Sequence, residues 1–206
     1  MIKGIIFDVG GVLIRTHDLS YRRKWETRLG LELGGTARLI FDSDLGRKAQ
    51  LGQVTSEEVW GWAGAHLGLS ADDLTAFERD FWAGDRLDHD LVRYIQGLHT
   101  RYRTALLSNG WDRDGRVMAE RLGLADCFDV CVVSAEVGVA KPDPRIYHIT
   151  LERLGVSPSE AVFVDDFATN VEAARSLGMQ AVHFIDPTQA RQELEALLRF
   201  PCLNCT

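Results

Sequence analysis

Four polar side chains follow short apolar runs in this chain and could together handle a phosphoryl group. Asp8, Ser108 and the pair Asp165-Asp166 each come directly after a run of mostly apolar residues. Such runs are typical of buried strands in a parallel sheet, whose carboxyl ends meet at one edge. Carboxylates at that edge suit a divalent cation with oxygen ligands, and a free carboxylate can attack phosphorus. We therefore expect these side chains to converge.

Two further segments supply groups that favour phosphate oxygens. Lys141, in the sequence Ala-Lys-Pro-Asp, would add a fixed positive charge beside the transferring group. Ser108 and the amides near Asn109 and Gly110 precede a helix predicted over 113–122, and helix N-termini attract phosphate. Each residue alone is common in turns and loops. Their order along the chain predicts a site for substrate at Ser108, Asn109, Gly110 and Lys141.

The elements that must hold these residues alternate between strand and helix after residue 88. Strands are predicted over 104–107, 130–133, 161–164 and 181–185, and helices over 91–98, 113–122, 144–154, 169–177 and 188–198. Alternation of this kind implies a parallel sheet with helices on both faces. The fold class is therefore α/β, with a three-layer Rossmann-like core.

Residues 15–85 interrupt this alternation with helical patterns. Thr55-Ser-Glu-Glu58 forms a capping box for a helix that ends near Gly68, and Ser70 begins another. Four of the five tryptophans lie here, which predicts a small separate core. We expect a small all-helical domain at 15–85, inserted after the first strand, and a catalytic core formed by 1–14 and 86–206.

Composition narrows the classes of partner. The 206 residues are 46% hydrophobic and carry a net charge of −7, which argues against nucleic acid or an anionic membrane as the main partner. No apolar run approaches the roughly 18 residues of a membrane span, and no signal sequence is evident. The expectation is a cytoplasmic monomer or homodimer that acts on a small molecule. Cys202 and Cys205 form a C-x-x-C without a second pair, so no metal or redox role is predicted for them.

Four motifs in sequence order resemble those of phosphatases in the haloacid dehalogenase superfamily. They are Phe7-Asp-Val-Gly-Gly-Val-Leu13, Leu107-Ser-Asn-Gly110, Lys141-Pro-Asp143 and Phe163-Val-Asp-Asp-Phe-Ala-Thr-Asn170. The resemblance covers the whole chain, and residues 15–85 fall where that family inserts a helical cap. It implies a hydrolase of a small phosphorylated metabolite.

The same resemblance implies a role for each site residue. Asp8 would be the nucleophile and a ligand of Mg²⁺, while the Gly10 carbonyl oxygen and Asp166 would complete the protein ligands. Asp165 would support Asp166. Ser108 would bind the phosphoryl group beside Lys141.

Gly10 departs from the pattern, because most phosphatases of this superfamily carry a second Asp there as general acid and base. Such catalysis typically contributes about 10²–10⁴-fold in rate. Three interpretations remain open. The leaving group needs little protonation, as in sugar-1-phosphates, aryl or acyl phosphates; another residue, such as Asp165 or His17, replaces the acid; or the site binds phosphate or a protein without turnover. Gly10 also resembles the glucose-1-phosphate phosphatases of the family.

The dehalogenase branch also lacks the second Asp. Its chemistry attacks carbon without magnesium, so the pair Asp165-Asp166 would be superfluous there, and this hypothesis is disfavoured.

Substrate specificity should come from the helical segment, since the four motifs handle only the phosphoryl group. Asp44-Leu-Gly-Arg-Lys48 is predicted to form a loop with two cations. Phe41, Trp60 and Trp82 are expected to pack a core rather than to line a pocket.

Overall fold

The architecture comes from a computed structural model, which describes residues 1–111 and 113–199. Its strands and helices follow one another in chain order as β1 (Gly4–Phe7), β2 (Ile14–Thr16), α1 (Ser20–Leu29), α2 (Gly35–Phe41), α3 (Asp44–Gln50), α4 (Ser56–Leu67), α5 (Ala71–Ala83), β3 (Asp85–Leu87), α6 (His89–His99), β4 (Arg103–Ser108), α7 (Gly115–Arg121), β5 (Val130–Val133), α8 (Ser134–Val137), α9 (Pro144–Leu154), β6 (Ala161–Asp165), α10 (Ala168–Ser176), β7 (Gln180–His183) and α11 (Pro187–Arg199). The Cys202 and Cys205 pair lies outside the described residues.

Five parallel strands form the central sheet in the order β5-β4-β1-β6-β7. Alternate residues of β1 enter different cores: Ile5 and Phe7 pack with α6 and α11, whereas Ile6 packs with α9 and α10. This separation follows from the two-residue period of a strand. The predicted α/β fold, with a layer of helices on each face of a parallel sheet, is confirmed.

Several helix boundaries match their predicted caps. Helix α9 begins after Asp143, whose side chain accepts from the Arg145 amide, and ends at Gly155 with a φ of 69°. Helix α4 has the predicted capping box at Thr55 and Glu58. No described helix is long and apolar enough to cross a membrane.

Two other predicted helix starts are wrong. Thr169 does not cap α10, which begins at Ala168 after Phe167 and has no side-chain cap. Helix α7 begins at Gly115 rather than at 113, because the Asp114 carboxylate accepts from the amides of Arg116 and Val117.

The segment between β2 and β3 contains five helices, α1 to α5, which we name the helical insert. Strands β2 and β3 pair antiparallel at its base and were not predicted, since three residues are too few for a visible period. The prediction of a loop at 44–48 is also wrong. Those residues begin α3, which is capped by the Ser43 side chain and closely approaches the Ile40 carbonyl at Gly46.

The insert has its own aromatic core, as its tryptophans predicted. Trp25, Trp60, Phe77 and Phe81 are buried there, and their rings meet mainly edge to face or tilted. Edge-to-face pairs align the positive edge of one ring with the negative face of another. The insert therefore carries a cluster able to hold its helices together.

One buried carboxylate, that of Asp80, contacts both this aromatic cluster and exposed basic side chains of the insert. Asp80 accepts from the Trp25 indole at 2.9 Å and pairs with Lys24 and Arg79 at 2.6 and 3.1 Å. Burial by itself raises the pKa of Asp80, but the bonds from Lys24, Trp25 and Arg79 outweigh it and hold the pKa below 3.8. The stability that Asp80 contributes is therefore complete above pH of about 4 and is lost as the pH falls through the lowered pKa.

We predict that Asp80→Ala destabilises the protein by about 1–3 kcal/mol, because it leaves the buried Trp25 N–H without its acceptor. Urea unfolding at neutral pH measures this loss. Glu78→Ala is the matched control, since Glu78 is an exposed acid on the same helix. Equal effects of the two substitutions would contradict the assigned role of Asp80.

Candidate active site

The polar ends of β1, β4 and β6 meet at the carboxyl edge of the sheet. Strand β1 lies between β4 and β6, and the Asp8 amide continues the ladder by donating to the Val164 carbonyl at 2.9 Å. This register sets Asp8 beside Asp165. Ser108 ends the neighbouring β4. The convergence expected from the sequence is therefore present.

Lys141 joins these strand ends through its buried ammonium group. Its Nζ lies 2.7 Å from Asp8 Oδ1, 2.7 Å from Asp165 Oδ2 and 3.1 Å from the Leu107 carbonyl oxygen. These three acceptors use the three N–H groups of an ammonium. In this arrangement Lys141 is the counter-ion of the carboxylates and has no spare donor for a phosphoryl oxygen.

The shifted pKa values of Asp8, Asp166 and Lys141 reflect an excess of negative charge at this site. Burial raises the pKa of Asp8 to about 7 despite the opposing Lys141, and Asp165 adds to the rise. Burial and the charge of Asp165 also raise the pKa of Asp166. Although burial lowers the pKa of Lys141, its two carboxylate partners outweigh that effect and the pKa is raised. When all are ionised, three carboxylates face one ammonium, which favours a bound cation.

Both carboxylate oxygens of Asp165 accept hydrogen bonds from other residues of the site. Asp165 is 0% exposed, it accepts from the Phe167 amide at 2.8 Å, and both its oxygens accept from the Asn170 side chain at 3.0 and 3.1 Å. The Asn170 carbonyl in turn accepts from the buried Tyr147 hydroxyl at 3.0 Å. Asp165 is therefore not positioned to protonate a leaving group, which removes it as a substitute for the missing acid.

Asn109 positions Lys141 rather than a ligand. Its side chain donates to the Lys141 carbonyl at 2.9 Å and accepts from the Lys141 amide at 2.8 Å. The Gly110 amide donates to the Ser134 hydroxyl at 3.1 Å, and that hydroxyl donates back to the Gly110 carbonyl at 3.2 Å. Asn109 and Gly110 were expected to bind substrate. In the structure, the Asn109 side chain and the Gly110 amide instead donate to Lys141 and Ser134.

The helix after β4 does not offer the anion site predicted from its N-terminus. Asp114 Oδ1 accepts from the Arg116 and Val117 amides at 2.9 and 3.1 Å, so a carboxylate already occupies that end. By contrast, the Ser108 hydroxyl makes no hydrogen bond within the described part of the chain, although the residue is buried. Ser108 is therefore the residue of this segment with a donor available to a ligand.

A metal could be held between Asp8 and Asp166. Carboxylate oxygens of Asp8, Asp165 and Asp166 lie within 4.8 Å of one another. Since Asp165 is occupied, the available carboxylates are those of Asp8 and Asp166, and Asp166 Oδ1 is buried without a partner. An orphaned buried carboxylate oxygen is costly, and a cation would satisfy it. The donor set therefore fits a hard divalent cation.

Two residues that sequence reasoning missed set the position of Asp166. Gly11 has a φ of 78°, and a Cβ there would lie 2.0 Å from Asp166 Oδ2. The His183 ring lies with Nε2 2.9 Å from the Asp166 carbonyl oxygen. The Gly10-Gly11 pair in the first motif could have indicated that Gly11 is needed for its conformation or its small size. No sequence pattern around His183 indicates its contact with Asp166.

Gly10 differs from its neighbour. It is exposed, it has no positive φ, and a Cβ there would meet no atom within 4 Å. The missing second carboxylate is therefore not explained by lack of space. His17, the other candidate acid, is exposed, and its ring makes no hydrogen bond with any residue that the structure describes.

Comparison with known proteins identifies relatives of this arrangement. The sequence model of the haloacid dehalogenase-like hydrolases matches residues 2–178. D-ribitol-5-phosphate phosphatase from Bacteroides thetaiotaomicron is 28% identical over 210 residues, which cover 96% of this chain and 99% of that protein. The structure of a predicted HAD-like family hydrolase from Porphyromonas gingivalis superposes with a TM-score of 0.77 at 24% identity, over 98% of this chain and 100% of that one.

Acyl-CoA dehydrogenase family member 10 from Mus musculus is 50% identical over 74 residues, which cover 36% of this chain and only 7% of the length of that protein. The family assignment rests instead on the match over most of the chain and on the converging strand ends that four motifs predicted. The chain belongs to the haloacid dehalogenase-like hydrolases.

Proposed function

We propose that this chain is a Mg²⁺-dependent hydrolase of small phosphate monoesters, such as a sugar phosphate or a similar metabolite, that passes through an aspartyl-phosphate on Asp8. The observation that carries this proposal is the state of Asp8. Its Oδ1 is held by Lys141 at 2.7 Å and by the Val9 amide at 2.7 Å, while Oδ2 has no partner among the described residues. A carboxylate fixed at one oxygen and free at the other suits in-line attack.

The chain's own residues account for each step. Asp8 Oδ2 forms a bond to phosphorus as the bond from phosphorus to the leaving oxygen breaks, and water then displaces Asp8 from the phosphoryl group. The Ser108 hydroxyl donates to a phosphoryl oxygen. Lys141 favours the ionised form of Asp8 and orients it, and Asp165 with Asn109 keeps Lys141 in place. Because position 10 is glycine, the leaving oxygen departs without a proton from that residue.

The residues that would hold Mg²⁺ are Asp8 and Asp166 through carboxylate oxygens and Gly10 through its carbonyl oxygen. When bound, the ion supplies positive charge to the phosphoryl oxygens during transfer. The excess negative charge of the site and the orphaned Asp166 Oδ1 support this ligand set. The helical insert is proposed to act as the cap over the site. A cytoplasmic location and a monomer or homodimer are part of the same proposal.

Two alternatives follow from Gly10. A non-catalytic member would bind phosphate or a protein without turnover, and a 2-haloacid dehalogenase would attack carbon without a metal. The orphaned Asp166 carboxylate argues against the dehalogenase, because a metal-free site would leave it uncompensated. The free Asp8 Oδ2 argues against the silent site, since a binding module needs no such poised oxygen.

Asp8→Asn tests the nucleophile. With p-nitrophenyl phosphate and Mg²⁺ we expect turnover to fall by several orders of magnitude, because an amide cannot form the intermediate. Asp126→Asn, at an exposed position, is the control and should keep its activity. Intact activity in Asp8→Asn would exclude Asp8 as nucleophile. Release of chloride from 2-chloropropionate without metal would instead support the dehalogenase.

Gly11→Ala tests the metal ligand. We expect it to weaken Mg²⁺ binding, measured by calorimetry, by about 10–100-fold, because a methyl group there displaces the Asp166 carboxylate. Gly10→Ala, one residue away and unobstructed, should bind Mg²⁺ as wild type does. Gly138→Ala separates the clash from backbone strain, since Gly138 has a φ of 71° and nothing within 4 Å of its Cβ. Equal binding by all three variants would refute the proposed ligand.

Gly10→Asp tests the missing acid. A carboxyl group there should raise turnover of alkyl phosphates by up to about 10²-fold, with little change for aryl phosphates, whose leaving groups need no proton. The open space around position 10 makes the substitution sterically acceptable. Gly10→Asn has the same size without the acid and should leave both rates unchanged. Identical gains for both substrate classes would contradict the leaving-group explanation.

A further inference from the structure

The loop that follows Ser108 extends from the site into the helical insert. Trp111, three residues after Ser108, packs its ring against two aromatic residues of the insert. Its centroid lies 5.6 Å from that of Phe41 and 6.5 Å from that of Trp60. Trp111 therefore belongs by sequence to the site loop and by packing to the insert.

Other contacts fix the insert against the same loop. The Arg113 guanidinium donates to the Gly52 carbonyl at 2.6 Å, and Gly52 lies so close to Ala135 that a Cβ would meet its carbonyl oxygen at 2.2 Å. Ser134, beside Ala135, holds both polar groups of the Gly110 backbone. The insert is thus held over the end of β4, where Ser108 lies.

The aromatic residues of the insert and the neighbouring loop differ in how far they are buried. Trp60 is buried, whereas Phe41 and Trp111 are partly exposed and Trp82 is 43% exposed. Phe41 contacts both of the other two rings, with its centroid 5.6 Å from that of Trp111 and 5.9 Å from that of Trp82. We name Phe41, Trp82 and Trp111 the aromatic rim. Core packing accounts for the buried Trp60, whereas each of these three side chains keeps part of its surface exposed.

We propose that Trp111 is a specificity-determining residue, and that the aromatic rim binds a flat aromatic leaving group of an aryl phosphate. This inference rests on the proposed function, because it assigns the leaving group of that reaction. Gly10 supports it independently. A phenolate, whose conjugate acid has a pKa of about 10 as in tyrosine, leaves without a proton donor far more readily than an alkoxide. The bond from phosphorus to the phenolic oxygen breaks as Asp8 bonds to phosphorus.

The test compares 1-naphthyl phosphate with acetyl phosphate. Both have leaving groups that need no general acid, but only the first carries aromatic rings. We expect Trp111→Ala to raise the KM for 1-naphthyl phosphate about tenfold and to change kcat/KM for acetyl phosphate by less than about twofold. Trp111→Phe should restore most of the affinity, whereas Trp111→Leu, which keeps apolar bulk without a ring, should not.

Trp62→Ala is the matched control, because Trp62 stacks on His66 of its own helix at 5.2 Å. It should change neither substrate's kinetics. Equal losses on both substrates in Trp111→Ala, or rescue by Trp111→Leu as complete as by Trp111→Phe, would overturn the specificity role. If wild type hydrolyses neither of these substrates, nor p-nitrophenyl phosphate, nor any of a panel of sugar phosphates, the proposed function itself fails. Turnover of acetyl phosphate without preference for the naphthyl ester overturns the inference alone.

Discussion

The buried ammonium of Lys141 is the interaction on which the site depends. A charge removed from water is unfavourable unless hydrogen bonds and opposite charges compensate it. Asp8, Asp165 and the Leu107 carbonyl supply that compensation at 2.7, 2.7 and 3.1 Å. Because the acceptors come from the ends of β1, β6 and β4, all three reach Lys141 only when these strands lie side by side. The contacts that hold the Asp8 carboxylate in place are therefore also contacts between the strands of the sheet.

The two glycines of the first motif have different physical roles. Gly11 is required by space and backbone conformation, since any side chain there would collide with Asp166. Gly10 has ordinary backbone geometry and open surroundings, so its lack of a side chain is a chemical property of the site. Gly11 thus leaves room for the Asp166 carboxylate, which we propose as a metal ligand. Gly10 offers no side chain that could donate a proton.

The helical insert and the site share one loop. Ser108 supplies a hydroxyl at the end of β4, and Trp111 begins the contact with the insert three residues later. Contacts between Gly52 and Ala135 reinforce the junction. Since the loop carries both groups, a change in how the insert sits would also move the segment that presents Ser108. The proposed phosphoryl-binding residue Ser108 and the proposed specificity residue Trp111 therefore lie on one short stretch of the chain.

Local patterns in the sequence determined the strands of the central sheet, the motif residues and several helix boundaries, because strand period and helix caps act over a few residues. Helix α9, from Asp143 to Gly155, is such a case. Only the tertiary structure decided which polar groups are hydrogen-bonded within the protein and which remain available to a ligand. Asn109 turns to Lys141, Asp114 caps α7, and Trp111 enters the insert. These outcomes depend on partners that are distant in sequence or on competition between neighbouring caps, so no local pattern could specify them.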